Sequence, residues 1–129
     1  MENNVIITVF QTQDDEKTQV LYDGVARIER LENGCILDYQ DDKEKTHLNI
    51  TSNSCTIERF GDHETDLCLS INETSYILVK TEYGTLRLEA ETIGIVLDEQ
   101  VLSVQYDIKE GNKIVSMFTI TWLIKEALS

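Results

Sequence analysis

The sequence predicts an all-β fold, a closed antiparallel barrel of about 8–10 strands in up-and-down order. Apolar residues recur at every second position along most of the chain, whereas the i, i+3, i+4 spacing of helices is nearly absent. Turn-forming stretches separate these runs at intervals of roughly 8–12 residues, which is typical of sandwiches and barrels. The chain contains no proline, a residue that often blunts exposed strand edges. Closing the sheet removes the need for such a device, so we expect a barrel rather than an open sandwich.

Each predicted strand has one apolar face. In chain order these faces consist of Val5, Ile7 and Val9; Val20, Tyr22, Ala26 and Ile28; Cys35, Leu37 and Tyr39; Thr46, Leu48 and Ile50; Cys55 and Ile57; Leu67, Leu69 and Ile71; Ile77 and Val79; Leu86, Leu88 and Ala90; Leu102, Val104, Tyr106 and Ile108; and Phe118, Ile120, Trp122 and Ile124. The separators ENG, FGD, INE, YG and EGN favour tight turns. Short connections of this kind join antiparallel neighbours whose apolar faces share one core.

The stretch LRLEAETIGIVLD, residues 86–98, changes phase in its middle. Its apolar positions are even-numbered from residue 86 to 90 and odd-numbered from 93 to 97. One extra residue in a strand restores the apolar side to the core after such a change. We therefore expect a β-bulge or a sharp bend near Glu91 and Thr92, where the strand turns a corner of the barrel.

Length and charge indicate one domain over residues 1–129 and exclude several partners. The chain has 24 acidic and 11 basic residues, for a net charge of −13. This charge repels phosphate backbones and anionic membrane surfaces, so we expect neither nucleic-acid nor membrane binding. No apolar run reaches the ~18 residues that cross a bilayer. The N-terminal MENNVIITVF does not resemble a signal peptide, and we expect a cytoplasmic protein.

The sequence contains no specific metal, cofactor or catalytic motif. Its three cysteines stand at long spacings, at Cys35, Cys55 and Cys68. No C-x-x-C pair occurs, so we expect no zinc or redox site. Cys35 and Cys55 share alternating faces with Leu37 and Ile57, so we expect these two thiols to be buried. Residues 38–49 lack the glycine and glutamate that a calcium loop requires, and His47 and His63 match no specific ligand spacing. We expect no metal, no cofactor and no enzymatic activity.

Glu89 and Glu91 lie on one side of a predicted strand, about 6.5–7 Å apart along the backbone. This separation is at the low end for the carboxylates of inverting glycosidases. Catalysis would also require one carboxyl group whose pKa is raised by burial. Arg87 on the same side indicates a solvated charge network instead. We interpret the pair as part of that network.

The large aromatic residues are spread over many predicted strands, so closure gathers several of them around one space. They are Tyr22, Tyr39, Tyr76, Tyr83, Tyr106 and Trp122. A tyrosine combines an apolar ring with one hydrogen-bonding end, which is the mixture that orients ligands in pockets. The same rings also serve to fill a core, and the sequence leaves both alternatives open.

Several segments carry a resemblance to a known family. They are DGVARIERLENGCILDYQD (23–41), THLNI (46–50), IERFG (57–61), TEYGTLRL (81–88), and TIGIVLD with VQYDI between residues 92 and 108. In order and spacing the chain resembles the YwiB-like family of bacterial calycin-type β-barrels, which have no assigned function. The resemblance implies a closed calycin-like (lipocalin-like) barrel. It does not imply lipocalin function, because the Gly-x-Trp of lipocalins is missing near the N-terminus. Glu82 stands where the family usually has proline.

The family's recurring pattern is matched at Tyr39, Arg59, Tyr83, Gly84 and Tyr106. Gly84 suits a turn that requires a positive φ. The resemblance implies that Arg59 and the tyrosines line one end of the barrel and bind a small anion or a polar-headed ligand. Alternatively, Arg59 holds a carboxylate such as Asp41 and joins two turns.

Two functions are compatible with these features. The first is non-enzymatic binding of a small, partly apolar ligand in the barrel interior or mouth, by Tyr39, Arg59, Tyr83, Tyr106 and Trp122. The second is an acidic protein-interaction module with a filled barrel that docks on a basic partner, and a homodimer is a further alternative. A cavity of about 300 Å³ or more against several tyrosines would distinguish the first function from the second.

Overall fold

The computed structural model describes residues 2–126 and consists of ten β-strands. Their bounds are β1 Glu2–Gln13, β2 Lys17–Leu31, β3 Gly34–Gln40, β4 Lys45–Thr51, β5 Ser54–Phe60, β6 Glu64–Ser70, β7 Ser75–Thr81, β8 Gly84–Leu97, β9 Val101–Glu110 and β10 Lys113–Glu126. Each strand pairs antiparallel with its neighbours in sequence, and β10 pairs with β1 to close the barrel. The predicted closed antiparallel meander is confirmed.

The core lies inside the barrel and follows the predicted alternation. Every second residue of the strands points inward, so large aliphatic side chains from all sides fill the interior. The largest fully buried side chains are Trp122, Ile7, Ile28, Leu37, Leu48, Ile50, Ile57, Leu67, Leu69, Leu102, Ile120 and Val5. They come from nearly every strand, so they form one continuous core.

Two long strands form the corners of the barrel by changing partners along their length. β2 pairs with β1 over most of its length but with β3 only from Arg27 onward. β8 pairs with β7 up to Ala90 and with β9 from Glu89 onward. Each long strand therefore pairs with different neighbours along different parts of its length, as a strand at the corner of a closed barrel does.

The predicted bulge in β8 is present one residue beyond the expected position. Thr92 is paired with Tyr106 and Gly94 with Gln105, which leaves Ile93 as the extra residue. Thr92 is buried, whereas Ile93 is 48% exposed and does not join the core as its spacing predicted. The hydroxyls of Thr92 and Ser75 lie 2.7 Å apart inside the barrel. The phase change therefore marks the corner, and the bulged residue points outward.

A second bulge, in β2, corrects the assignment of Val20 to the core. Val9 is opposite Tyr22 and Phe10 is opposite Val20, so Leu21 is the additional residue. Val20 consequently lies on the outer face with Phe10 and is 56% exposed. The sequence alone did not reveal this change of phase, since only the pairing with β1 defines it.

The alternation of strand direction divides the connections between two ends of the barrel. The connections β1–β2, β3–β4, β5–β6, β7–β8 and β9–β10 lie at one end, which we call the acidic rim. They carry eight carboxylates, at Asp14, Asp15, Glu16, Asp41, Asp42, Glu44, Asp62 and Glu82, and one lysine, Lys43. The opposite end carries four, at Glu32, Glu73, Asp98 and Glu99. Much of the net negative charge is thus concentrated at the acidic rim.

Candidate functional site

Four of the five predicted site residues converge in the half of the interior below the acidic rim. Trp122 is fully buried, and its indole Nε1 donates a hydrogen bond to the Tyr39 hydroxyl at 3.1 Å. Tyr106 is also buried, and its ring stacks on Phe118 with centroids 5.4 Å apart. The Tyr39 ring lies 4.7 Å from the ring of Tyr22. Five rings thus belong to the core or pack against it, and we call them the aromatic cluster: Tyr22, Tyr39, Tyr106, Phe118 and Trp122.

The guanidinium group of Arg59 lies in the mouth of the barrel at the acidic rim. Its side chain is 18% exposed, and its Nε lies 4.0 Å from Oε1 of Glu44. Tyr22, Tyr39 and Thr46 complete the surroundings of the guanidinium. The space left between them measures only about 20 Å³, which is room for a single water molecule.

The alternative structural role predicted for Arg59 involves a different carboxylate from the one expected. Asp41 accepts backbone hydrogen bonds from Lys43 and Glu44, both at 2.8 Å, and so closes its own turn. These hydrogen bonds lower the pKa of Asp41. Glu44, three residues along the same turn, is the ion-pair partner of Arg59. Arg59 thereby connects the β3–β4 turn to β5.

Burial decides the protonation state of the enclosed tyrosines. Desolvation raises the pKa of Tyr106 to about 12, against a smaller opposing effect of Arg59. Desolvation also raises the pKa of Tyr39, while the hydrogen bond from Trp122 and the charge of Arg59 lower it. Both phenols are therefore neutral in the physiological range, and the Tyr39 hydroxyl accepts the hydrogen bond from Trp122.

Tyr83, the fifth predicted site residue, lies apart from the other four. It occupies the β7–β8 turn on the acidic rim and is 92% exposed. Gly84 follows it with a φ of +129°, which confirms the positive φ expected of this turn glycine. The ring of Tyr83 therefore faces solvent, outside the aromatic cluster.

A polar groove that the sequence did not indicate lies beside the mouth, along the β1–β2 hairpin. Gln11, Gln13, Lys17, Thr18 and Gln19 line it, and its volume is about 300 Å³. Gln11 is opposite Gln19 and Gln13 is opposite Lys17, so these side chains share the inward side of the hairpin. No tyrosine is among the lining residues, so the groove is separate from the aromatic cluster.

The sequence suggested Glu89 and Glu91 on one strand as a carboxylate pair. The structure shows a second pair, formed across two strands by Glu91 and Asp107. Glu91 on β8 lies opposite Asp107 on β9, and Glu91 Oε2 accepts a hydrogen bond from Lys109 Nζ at 3.0 Å. Asp107 is 5% exposed, and its Oδ1 has no hydrogen-bond partner within the described part of the chain. Desolvation, reinforced by the charge of Glu91 and opposed by Lys109, raises the pKa of Asp107.

A buried carboxyl group beside a second carboxyl group is the arrangement of many acid–base catalysts. Here Oδ1 of Asp107 has almost no surface that a substrate could touch. Asp107 was absent from the sequence prediction because its neighbours on β9 alternate as a polar outer face. Only the register of β8 on β9 places it next to Glu91. The pair therefore affects the stability of the fold through the cost of burying the Asp107 carboxylate.

Replacing Asp107 with asparagine is expected to stabilise the fold by about 1 kcal/mol at pH 7, because it removes a desolvated charge. A carboxyl with a raised pKa in the folded state makes the wild type lose stability as pH rises above the ordinary value of 3.8. The gain of Asp107→Asn should therefore vanish below that pH. Urea denaturation at pH 7 and at pH 3 measures both effects.

The control for this experiment is Asp66→Asn, since the Asp66 side chain is 24% exposed and lies 3.6 Å from Lys80 Nζ. It should bring no stabilisation at pH 7. An equal gain in both variants would contradict the role of Asp107 burial and would point to relief of the net negative charge.

The other groups capable of chemistry are enclosed or dispersed. Cys35 and Cys55 are buried as predicted, and burial raises the pKa of the Cys55 thiol to about 12. Cys68 is partly exposed. Within residues 2–126, no group of three or more His, Cys, Asp or Glu side chains is placed to hold a metal ion. No helix in that range is long and apolar enough to cross a membrane.

Comparison with known proteins identifies relatives of this fold. A family model described as a domain of unknown function, DUF1934, matches residues 4–121. The chain is also similar to the ywiB protein from Bacillus subtilis, whose crystal structure gives a TM-score of 0.72 at 20% sequence identity. That match covers 98% of this chain and 94% of the other. No curated protein matches the sequence. The resemblance to the YwiB-like family and the calycin-like barrel are thereby confirmed.

Proposed function

This chain belongs to the DUF1934 family of domains of unknown function, and we propose that it is a protein-interaction module that docks on a basic partner through its acidic rim. The barrel then acts as a rigid support, and its outer surface carries the function. The module is non-enzymatic in this proposal.

The packing of the interior is the observation that supports this function over ligand binding inside the barrel. Trp122 is fully buried, Tyr106 is 4% exposed, and the space beside Tyr39 and Arg59 measures about 20 Å³. Pockets for small molecules generally measure about 300–1,000 Å³. The aromatic cluster therefore fills the volume that a partly apolar ligand would need.

The acidic rim has the composition expected of a surface that recognises cations. Its connections carry twice as many carboxylates as the opposite end, all of them exposed. Tyr83 and Phe60 expose aromatic surface on the same rim, at 92% and 41%. Lysine and arginine side chains bind favourably to such rings as well as to carboxylates. A partner with a basic, flexible segment would satisfy both kinds of contact.

Binding of a labelled oligolysine peptide, followed by fluorescence anisotropy at low and at physiological salt, tests this proposal. The variant Asp15→Asn/Asp42→Asn/Asp62→Asn/Glu82→Gln removes four rim charges and spares Asp14 and Asp41, whose carboxylates accept backbone hydrogen bonds. We expect the dissociation constant to rise at least about tenfold at low salt. Tyr83→Ala should raise it about threefold by loss of the cation–π contact.

The matched control, Glu32→Gln/Glu73→Gln/Asp98→Asn/Glu99→Gln, removes four charges from the opposite end. At physiological salt, where the Debye length is about 8 Å, it should change the dissociation constant by less than about threefold, because these charges lie at the far end of the barrel from the bound peptide. Equal losses in the two quadruple variants would show nonspecific attraction to the net charge and would overturn the proposal. The absence of binding by the wild type would do so as well.

A further inference from the structure

One outer wall of the barrel is nearly free of charge. We call it the neutral wall. It extends across β2, β1, β10 and β9 and consists of Val20, Asp23, Val25, Ile6, Thr8, Phe10, Thr121, Leu123, Lys125 and Ser103. Its exposed aliphatic residues are Ile6 at 42%, Val20 at 56%, Val25 at 60% and Leu123 at 41%. Phe10, Thr8, Thr121 and Ser103 fill the positions between them, as the strand register shows.

The opposite wall has a very different surface. Along one row of its outward face, the register places Asp38, His47, Glu58 and Asp66 on successive strands. Lys80 forms ion pairs there with Glu64 and Asp66, both at 3.6 Å. Since both walls enclose the same core, packing of the interior does not account for the exposed aliphatic residues of the neutral wall.

We infer that the neutral wall is the contact surface for a second copy of this chain. Two molecules that each carry a net charge of −13 repel one another over most of their surfaces. The neutral wall carries one carboxylate, Asp23, and one ammonium group, Lys125, which cancel. It is therefore the surface on which apolar contact is gained without bringing like charges together.

The register of the strands also makes this wall self-complementary. Val25, Ile6 and Lys125 form one cross-strand row, and Asp23, Thr8 and Leu123 form the next. A two-fold axis along β1 lays β2 of one copy over β10 of its partner. Asp23 then lies one row from Lys125 of the other copy, about 6.6 Å along the strand and within reach of a lysine side chain. The symmetry forms this ion pair twice, as isologous interfaces require.

The size of the neutral wall sets the surface area that a contact between two copies can bury. Four strands and about seven residues of length give a flat footprint of roughly 19 × 23 Å per copy. Protruding side chains add to this area, which brings the total buried surface to about 1,000 Å², the lower limit for specific interfaces. An interface at this lower limit is typical of transient contacts, so we expect a reversible dimer that dissociates on dilution. This inference is independent of the proposed function, because the acidic rim lies at the end of the barrel and stays open.

Sedimentation velocity from about 5 μM to 1 mM in physiological salt tests the inference. The wild type should shift from the 14.8 kDa monomer toward twice that mass as concentration rises. Ile6→Asp should raise the dissociation constant at least about tenfold, because the axis along β1 brings the two copies of residue 6 together and so places like charges at the contact. Val115→Asp, at a valine 54% exposed outside the wall, is the matched control and should leave it unchanged.

A charge exchange tests the two-fold axis itself. Asp23→Lys should weaken the dimer by leaving two ammonium groups together, and Asp23→Lys/Lys125→Asp should restore it. A monomer at every concentration would overturn the inference. A dimer disrupted by Val115→Asp rather than Ile6→Asp would also overturn it, as would a double variant no tighter than Asp23→Lys.

Discussion

Replacing Trp122 with alanine is expected to destabilise the protein by about 4–5 kcal/mol, which is a large part of the stability of an ordinary domain. Trp122 is fully buried at the centre of the aromatic cluster, so truncation leaves a cavity in the barrel. It also leaves the Tyr39 hydroxyl without the indole donor, now 3.1 Å away. Urea denaturation followed by circular dichroism measures the loss.

Two further variants separate the contributions to this loss. Tyr39→Phe keeps the ring but leaves the indole N–H unpaired, so it should cost about 1–3 kcal/mol. Tyr83→Ala removes an aromatic ring that is 92% exposed and should change stability by less than about 0.5 kcal/mol. A loss below about 1 kcal/mol for Trp122→Ala would show that the barrel does not depend on a filled centre.

Replacing Gly34 with alanine is the second change with a large expected effect. Gly34 begins β3, and a Cβ atom added there would lie 2.1 Å from the backbone oxygen of Ile50 on β4. Backbone atoms of a paired strand cannot move aside without breaking the ladder, so we expect a loss of about 3 kcal/mol. Thermal or urea denaturation of the purified variant measures this loss.

Gly94 provides the matched control for Gly34. It lies beside the β8 bulge, and a Cβ atom added there would meet nothing within 4 Å. Gly94→Ala should therefore be neutral or stabilising by up to about 1 kcal/mol, because alanine restricts the unfolded chain. Equal losses at the two glycines would mean that backbone freedom, rather than the approach of Ile50, explains the need for glycine at position 34.

The sequence indicated several local features of the site that the structure places correctly. The turn at Gly84 adopts its positive φ, and Cys35 and Cys55 are buried. These features depend on residues within a few positions of one another, where turn chemistry and alternation act directly. Arg59 has an ion-pair partner as one alternative predicted, but the carboxylate is Glu44 rather than Asp41. Asp41 uses its oxygens for its own turn, which spacing alone did not distinguish.

Features that depend on pairing between distant strands were not predicted. The exposure of Val20 and of Ile93 follows from bulges, and a bulge is defined by the partner strand. The proximity of Glu91 and Asp107 likewise comes from the register of β8 on β9. Local alternation assigns each residue to a side of its strand, but it cannot say which residue lies across from it.

The sequence by itself determined the closed antiparallel meander, because alternation and short turns allow few other arrangements. It also determined the excess of negative charge. Only the tertiary structure decided that Tyr39, Tyr106 and Trp122 fill part of the interior, since side chains such as Trp122 and Tyr39 meet across the barrel from strands far apart in the chain. The same is true of the acidic rim and the neutral wall. Both are produced by closure, which brings alternate connections to one end and places β1 between β2 and β10.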